Sequence, residues 1–375
     1  MKTLVISAVN FTEGGPLTVL RDCVAAAAEV LPDWRIIVMA HDASLITVPN
    51  VEVMAFPATK TSWVRRLMLE WWGFERVSRK LGTDLWLSLH DITPRVMARR
   101  QAVYCHNPAI FYRIGWREAC LEPKFLLFNK LYGLLYAAFI GRNSHVVVQQ
   151  DWLRTEFARR FGDLPMTVAH PSAASPRANG ALRAGRPTVF LYPALPRVFK
   201  NFEVVCDAAA LLNAQGVEGF EVRLTLGGSE NRYARWLKSK YGETSGVRFI
   251  GRQSTAQMQE HYREASALVF PSRLETWGLP ISEAKSHGLP LIVASAPYAK
   301  ETVGTYDLVS FFPPRDAHAL ATQMHALITG EWQPAGNVGH PPAAPFARDW
   351  QQLLRLLTAD LRKVADTPLQ NETAR

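Results

Sequence analysis

A chain of 375 residues is too long for one ordinary hydrophobic core and fits two domains of roughly 150–200 residues each. Hydrophobic residues make up 48% and charged residues 20%, which excludes a largely disordered chain, and the net charge is +9. The four cysteines lie far apart, without the spacing of a zinc site, as in a reduced cytoplasmic protein. The longest apolar run, 131–140, is shorter than the ~20 residues of a membrane span. No signal peptide is recognisable, so we expect a soluble or peripheral protein.

The first 165 residues predict strands that alternate with helices. An apolar run at 4–9 predicts a buried strand, and apolar residues recur at helical spacing from Leu17 to Leu31. Further strands are predicted at 35–39, 51–55, 85–89, 102–105 and 146–148, and a helix at 152–161. This alternation predicts a parallel sheet in an α/β domain that covers 1–165.

Residues 166–187 are rich in Pro, Ala, Ser and Gly and predict a linker with one strand at 166–169. The α/β alternation resumes in a second domain, 188–345. Its strands are predicted at 188–192, 221–226, 247–250, 267–270 and 291–294, with a Pro/Gly-rich loop at 331–345. An apolar stripe predicts a final helix within 346–363, and the polar residues 364–375 predict a disordered tail.

The stretch 60–130 carries much of the excess positive charge, with 13 Lys and Arg against 6 Asp and Glu. It also contains the tryptophans Trp63, Trp71, Trp72, Trp86 and Trp116. Basic residues mixed with Trp suit an anionic membrane surface. A solvated basic face and a nucleic-acid surface stay open as alternatives, although no nucleic-acid-binding module is recognisable. We therefore expect a cytoplasmic protein, peripheral on the inner face of the cytoplasmic membrane, with no nucleic-acid partner.

The segment 267–284 predicts a strand, a loop and a helix that could hold a phosphate. A buried strand ends before Pro271-Ser272, and Pro280 is expected to begin the helix. The free amides of Trp277, Gly278 and Leu279 would point out of the helix start, where amides and the helix dipole bind anions. Gly278 would let the anion approach the backbone closely. Spacing alone fits an ordinary capped helix equally well.

Two carboxylates complete this segment. Glu275 lies in the loop and could reach a sugar hydroxyl, while Glu283 is predicted in the first helical turn, where it could accept hydrogen bonds from ribose. The segment resembles the Glu-x7-Glu motif of the family 4 (group 1) retaining glycosyltransferases, with Glu275 and Glu283 as its acids. Trp277 stands where Phe is usual, and Ser286-His287 where small residues or Cys are common.

The resemblance covers the second half of the chain and implies the GT-B fold, two doubly wound Rossmann-like domains facing a cleft. It implies that the first domain binds the acceptor, the second binds a nucleotide-diphosphate-sugar, and the last helix crosses back to the first. The implied enzyme is a retaining hexosyltransferase. Together with the basic stretch, it suggests a lipid-linked saccharide acceptor in surface polysaccharide or lipopolysaccharide synthesis. The alternatives are a non-catalytic nucleotide-sugar-binding subunit and a GT-B nucleotide-sugar isomerase.

Further residues of the second domain are expected at the donor. Lys200 precedes a predicted helix that Asn201 can cap, so its ammonium would lie beside a helix start that suits a diphosphate. The family usually carries an Arg about five residues before this Lys, where Leu195 stands here. We expect the nearest arginine, Arg197, to replace it, and an ordinary surface arginine stays open as the alternative. The resemblance also implies that Arg252, in the turn after Gly251, approaches the base. No Asp-x-Asp occurs, so we expect neither a metal nor a cofactor, only the donor substrate.

In the first domain, Gly14 and Gly15 resemble the family's glycine loop after the first strand, which lies near the diphosphate and the acceptor. His106 follows the strand at 102–105. The resemblance implies an active-site role for it, at the donor sugar. His90 follows the strand at 85–89 and is the second choice, as an acceptor ligand. The predicted catalytic residues are therefore His106, Glu275 and Lys200.

Overall fold

The computed structural model describes residues 1–12, 14–59, 62–171 and 187–363. The chain divides into two compact units. The first groups Met1–Asn107, Tyr132–Ser172 and Pro342–Arg375, and the second groups Pro108–Leu131 and Ala173–Pro341.

The strands occur throughout the described residues and are numbered in chain order. They are β1 (Lys2–Ser7), β2 (Trp34–Ala40), β3 (Val51–Ala55), β4 (Thr83–Ser88), β5 (Ala98–Cys105), β6 (His145–Val148), β7 (Met166–Ala169), β8 (Thr188–Tyr192), β9 (Phe220–Leu224), β10 (Val247–Phe249), β11 (Ala267–Phe270), β12 (Leu291–Ala294), β13 (Val309–Phe312) and β14 (Phe346–Ala347).

Helices lie between most of the strands, as expected for βα units. They are α1 (Gly14–Val30), α2 (Trp63–Met68), α3 (Phe74–Leu81), α4 (Trp116–Leu121), α5 (Pro123–Ala137), α6 (Asp151–Phe161), α7 (Phe202–Ala214), α8 (Arg232–Tyr241), α9 (Thr255–Glu264), α10 (Leu279–Ser286), α11 (Ala299–Val303), α12 (Ala317–Thr329) and α13 (Trp350–Lys363). A π-helical turn, Leu69–Gly73, joins α2 to α3. Among the described helices, none has the length and apolar character needed to cross a membrane.

Each unit is built on one parallel sheet. The first sheet has the order β14-β7-β6-β5-β4-β1-β2-β3, and the second has the order β10-β9-β8-β11-β12-β13. The strands are buried and rich in Val, Ile and Leu, as in sheets with helices on both faces. Strand order reverses at β1 in the first sheet and at β8 in the second. Ligands of such folds bind at the carboxyl ends of the strands beside this switch point.

The final helix belongs to the core of the first unit. Trp350, Leu353, Leu354, Leu357 and Leu361 are buried in the same cluster as the apolar face of α1. The spacing of these residues places them on one stripe, which is why α13 packs as a single amphipathic layer. The predicted final helix at 346–363 therefore forms, although its first residues are β14 and not helix.

Several predicted boundaries differ from the structure. The segment Pro108–Leu131 lies within the predicted first domain, 1–165, but groups with the second unit. The predicted linker, 166–187, begins with β7, which is part of the first sheet. The rest of that linker (172–186) and the predicted tail (364–375) lie outside the described residues. Strands β13 and β14 were not predicted, because Ser310 interrupts the apolar run of β13 and β14 has only two residues.

Candidate active site

Two neighbouring strands at the switch point of the second sheet, β8 and β11, are followed by charged residues of the predicted site. Lys200 ends a short 3₁₀ turn after β8, and Glu275 lies in the loop after β11. The Lys200 ammonium donates a hydrogen bond to Glu275 Oε1. The two side chains are 17% and 12% exposed. Because each keeps some access to solvent, an anionic ligand could replace Glu275 as the partner of Lys200.

Asn201 holds these two loops together. Its backbone is left-handed, with φ of 59°, and its Nδ2 donates to the carbonyls of Pro271 (3.1 Å) and Pro314 (2.7 Å). The predicted capping of α7 by Asn201 is wrong, since the side chain makes no capping bond. A side-chain N-cap normally has extended backbone geometry, which this residue lacks.

Two buried tyrosines donate hydrogen bonds to the backbone of the same loops. Tyr192 donates to the carbonyl of Lys200 (2.6 Å), and Tyr298 donates to the carbonyl of Ser272 (2.7 Å). Burial raises the pKa of both phenols well above the ordinary value, and the Glu275 charge adds to the effect. Both hydroxyls therefore remain protonated donors, and the loops keep their positions.

The motif helix α10 begins at a glycine that no other residue could easily replace. Gly278 has φ of 88°, and a Cβ atom there would lie 3.3 Å from Phe270. Trp277 is 5% exposed, and its Nε1 donates to Ser282 Oγ (3.0 Å). The indole of Trp277 thus packs into the interior of the second unit. A ligand could therefore contact only the backbone of this residue. Leu279 is the first helical residue, and the amides at a helix start are groups that suit a phosphate.

Glu283 lies in the second turn of α10, not in the first turn as predicted, because the helix already begins at Leu279. Its Oε2 accepts a hydrogen bond from the Tyr262 hydroxyl (2.6 Å), and its side chain is exposed. Tyr262 is 1% exposed and stacks on His287. Tyr262 thereby fixes the carboxylate while leaving Oε1 able to accept another donor. Sequence reasoning missed this tyrosine, because its spacing is that of an ordinary core residue of α9.

Arg197 pairs with a protein carboxylate. Its Nε donates to Glu122 Oε1 (2.7 Å), and its guanidinium lies over the rings of Phe125 (5.0 Å) and Phe199 (5.6 Å). Glu122 Oε2 also accepts the amide of Val198 (2.7 Å). In this conformation Arg197 attaches Pro108–Leu131 to the rest of the second unit, and a diphosphate would have to compete with Glu122 for it.

Arg252 and Lys200 both lie at the carboxyl ends of strands of the second sheet. Arg252 is exposed and follows Gly251, which has φ of 72°, just after β10. Strand β9 separates β10 from β8, so about 10 Å of sheet lies between the two strand ends. A ligand that reaches both residues must be extended, as a nucleotide-sugar is.

In the first unit, His106 directly follows β5, and its side chain is 14% exposed. Its ring stacks on Phe11 at 5.2 Å and meets the edge of Tyr104 at 6.2 Å. Gly14 and Gly15 form the beginning of α1 and not a loop, which is the usual uncertainty of a predicted helix boundary. They follow β1, so they lie at the same switch point as the ends of β4 and β5.

His90 is fully buried and belongs to a polar cluster beneath the surface. Its Nε2 lies 3.0 Å from Ser7 Oγ, and its Nδ1 lies 3.3 Å from Arg66 Nη2. Arg66 in turn donates to Glu70 Oε1 (2.6 Å) in the π-helical turn. Burial lowers the pKa of His90 well below its ordinary value, so the ring is neutral. The interpretation of His90 as an acceptor ligand is wrong, because no part of its side chain is exposed.

Comparison with known proteins identifies a family for part of the second unit. Residues 175–337 match the family described as Glycosyl transferases group 1. These residues form a group 1 glycosyltransferase domain, which makes up less than half of the chain. This match contains Lys200, Glu275 and Glu283, so the residues gathered at the second switch point lie within the family domain. Within the described ranges of the chain, no group of three or more His, Cys, Asp or Glu could hold a metal ion.

A relative from Escherichia coli, O-antigen chain mannosyltransferase B, is 30% identical over 100 residues. The aligned part spans 26% of this chain and 26% of the relative, about a quarter of each. Among solved structures, the lipopolysaccharide outer core galactosyltransferase WaaB superposes with a TM-score of 0.64 at 14% identity, over 97% of this chain and 100% of WaaB. Anabaena Alr3699/HepE in complex with UDP-glucose gives 0.59 at 15% identity, over 98% and 99%. The predicted fold class, GT-B with two Rossmann-like domains, is confirmed.

Proposed function

We propose that this group 1 glycosyltransferase transfers a sugar, with retention of anomeric configuration, from a nucleotide-diphosphate-sugar to a saccharide acceptor. The observation that carries the proposal is the Lys200–Glu275 pair at the switch point of the second sheet. A lysine and the open helix start at Gly278 supply positive charge and amides for a diphosphate. Glu275 supplies an acceptor for a sugar hydroxyl.

The donor would extend along the carboxyl edge of the second sheet. Lys200 and the amides at Gly278 and Leu279 would bind the diphosphate, Glu283 the ribose, and Arg252 the base. In support, Anabaena Alr3699/HepE, which shares the fold, binds UDP-glucose. Arg197 would assist if its bond to Glu122 opened.

The leaving diphosphate would be neutralised by Lys200 and the dipole of α10, without a metal ion. In a front-face displacement the departing phosphate oxygen takes the proton of the acceptor hydroxyl as the new glycosidic bond forms. The chain's own contribution is then positioning and charge stabilisation. We assign His106 to the orientation of the transferred sugar.

The acceptor that we propose is a lipid-linked saccharide of surface polysaccharide or lipopolysaccharide synthesis. The names of the O-antigen mannosyltransferase and of WaaB support this class of acceptor. The first unit also exposes large apolar side chains: Trp63 (47%), Met68 (57%), Trp72 (58%) and Leu134 (69%). Aromatic and apolar groups within or beside a basic stretch suit the interface of an anionic membrane, so we propose peripheral binding there.

A panel of UDP-, GDP- and dTDP-sugars tests the donor proposal. One donor should raise the melting temperature and release its nucleoside diphosphate when a saccharide acceptor is added. A nucleotide-sugar isomerase would instead convert the donor without an acceptor, and a binding subunit would bind the donor without turnover. Either of these results would contradict the proposed transfer.

Flotation with vesicles tests the membrane proposal. The protein should bind anionic vesicles, and binding should weaken with salt, because surface charges are screened over ~8–10 Å near physiological ionic strength. Trp72→Ser should weaken binding, whereas Val338→Ser, at an even more exposed apolar residue of the second unit (71%), should not. Equal binding to neutral and anionic vesicles at low salt would refute the proposal.

A further inference from the structure

Asp91 adopts a backbone conformation that few residues tolerate. It lies between β4 and β5 with φ of 63°, in the left-handed region where Asp and Asn are the common exceptions to glycine. The residue is 6% exposed. Its carboxylate Oδ1 accepts the amides of His106 (2.8 Å) and Asn107 (3.1 Å). One side chain thus fixes the backbone on which the His106 ring is mounted.

The other carboxylate oxygen faces the ring itself. Asp91 Oδ2 lies 3.9 Å from His106 Nε2, an electrostatic contact beyond hydrogen-bond length, and accepts the Tyr132 hydroxyl at 3.3 Å. Burial raises the pKa of Tyr132 well above its ordinary value, so this hydroxyl stays a donor. The carboxylate is therefore held between two backbone amides, a phenol and the imidazole.

The His106 ring is held on its remaining sides by aromatic groups. Phe11 stacks on one face with an interplanar angle of 27°, and Tyr104 meets the ring at 87°. With 14% of the side chain exposed, the imidazole keeps only a small accessible edge. Contacts from three separate elements converge on one ring, which is more than packing of a surface histidine requires.

We propose that Asp91 is a positioning residue that orients His106 for sugar transfer. Oδ1 sets the backbone, and Oδ2 sets the ring and supplies the negative charge. A negatively charged carboxylate in this place favours one orientation of the imidazole ring over the others. The inference rests on the proposed function in one respect, the role of His106 in turnover.

Two substitutions separate the two oxygens. Asp91→Asn tolerates the left-handed backbone and keeps an oxygen that can accept both amides, but it removes the charge that faces the ring. Asp91→Ala removes both. For Asp91→Asn we expect kcat to fall about 10–100-fold while the donor KM changes by less than about twofold, since small misplacements of a catalytic group have effects of this size. Asp151→Asn, a change in a surface pair with Arg154, is the matched control and should leave both constants unchanged.

A double-mutant cycle distinguishes positioning from plain structural support. In a His106→Ala background, Asp91→Asn should cause little further loss, because the group that it orients is gone. If Asp91→Asn lowered kcat by the same factor in the wild type and in His106→Ala, the proposal would be overturned. It would also be overturned if the wild type were active and Asp91→Asn had the same kcat.

Amide hydrogen exchange tests whether Asp91 holds the backbone of His106 and Asn107, and it does not require an activity assay. The His106 and Asn107 amides should exchange slowly in the wild type and in Asp91→Asn, and faster in Asp91→Ala. Unchanged exchange in a folded Asp91→Ala would overturn the backbone part of the proposal. If the wild type transfers no sugar from any donor, the proposed function fails, while the exchange result still decides whether Asp91 holds His106.

Discussion

Replacing Lys200 with methionine should weaken binding of the nucleoside diphosphate product by about 10–150-fold. The loss of one charge-assisted hydrogen bond costs about 1.5–3 kcal/mol, and each 1.4 kcal/mol corresponds to about tenfold in affinity. The structure adds a second effect. Glu275 is 12% exposed and has Lys200 as its ion-pair partner, so the variant leaves a poorly solvated carboxylate where the diphosphate would bind. Repulsion should push the loss toward the upper end of this range.

Isothermal titration calorimetry with the bare nucleoside diphosphate measures this effect. A second variant, Lys200→Met with Glu275→Gln, should recover part of the affinity, because the uncompensated charge is removed, but it should not recover sugar transfer. Lys240→Met is the control: Lys240 is 47% exposed and pairs with Asp207 on the surface of the same unit. Wild-type affinity in Lys200→Met, or an equal loss in Lys240→Met, would refute this account of the diphosphate site.

Other predictions test the remaining parts of the site. Glu283→Ala should weaken nucleotide binding by about 1.5–3 kcal/mol through the lost ribose contact, whereas Glu260→Ala, in a surface pair, should not; unchanged calorimetric affinity in Glu283→Ala would sink the assignment. Transfer should persist in EDTA, and a strict Mg²⁺ or Mn²⁺ requirement would rule out metal-free neutralisation of the diphosphate. His106→Ala should bind nucleoside diphosphate normally and transfer sugar ~10²–10⁴-fold more slowly. His90→Ala should instead lower the melting temperature, because it removes one member of a buried polar cluster. A wild-type kcat in His106→Ala would contradict the assignment of His106 as the active-site histidine.

The parts of the fold that sequence could predict are those with a strong local pattern. Buried strands such as β8 and β11 are short apolar runs, and α13 repeats its apolar residues at helical spacing. The motif from β11 to α10 contains a glycine, a proline and two acids in fixed order, so a family resemblance could be found there. The placement of Lys200 before a helix followed from the same kind of local signal.

The contacts that sequence could not predict depend on tertiary structure. Asn201 is a residue type that often caps helices, yet its side chain bridges two loops that are 70 residues apart in sequence. Tyr262 reaches Glu283 from a different helix, and nothing in its spacing separates it from a core tyrosine.

The domain boundary was missed for a related reason. Pro108–Leu131 follows β5 without a break in composition, and the contacts that link it to the second unit include ion pairs with distant arginines. Glu118 pairs with Arg273, and Glu122 pairs with Arg197. Charged side chains of this kind look like surface residues in a sequence, so partners 75 or more residues away are not visible in it.

The central claim, retaining transfer from a nucleotide-diphosphate-sugar, is tested most directly by proton NMR of the transferred sugar. The purified protein is incubated with the donor that stabilises it and a lipid-linked saccharide acceptor, and the anomeric proton of the product is compared with that of the donor. We expect a new glycosidic bond with the anomeric configuration of the donor, formed by the wild type and not by Lys200→Met. An inverted anomeric centre, or consumption of the donor with no sugar on the acceptor, would contradict it.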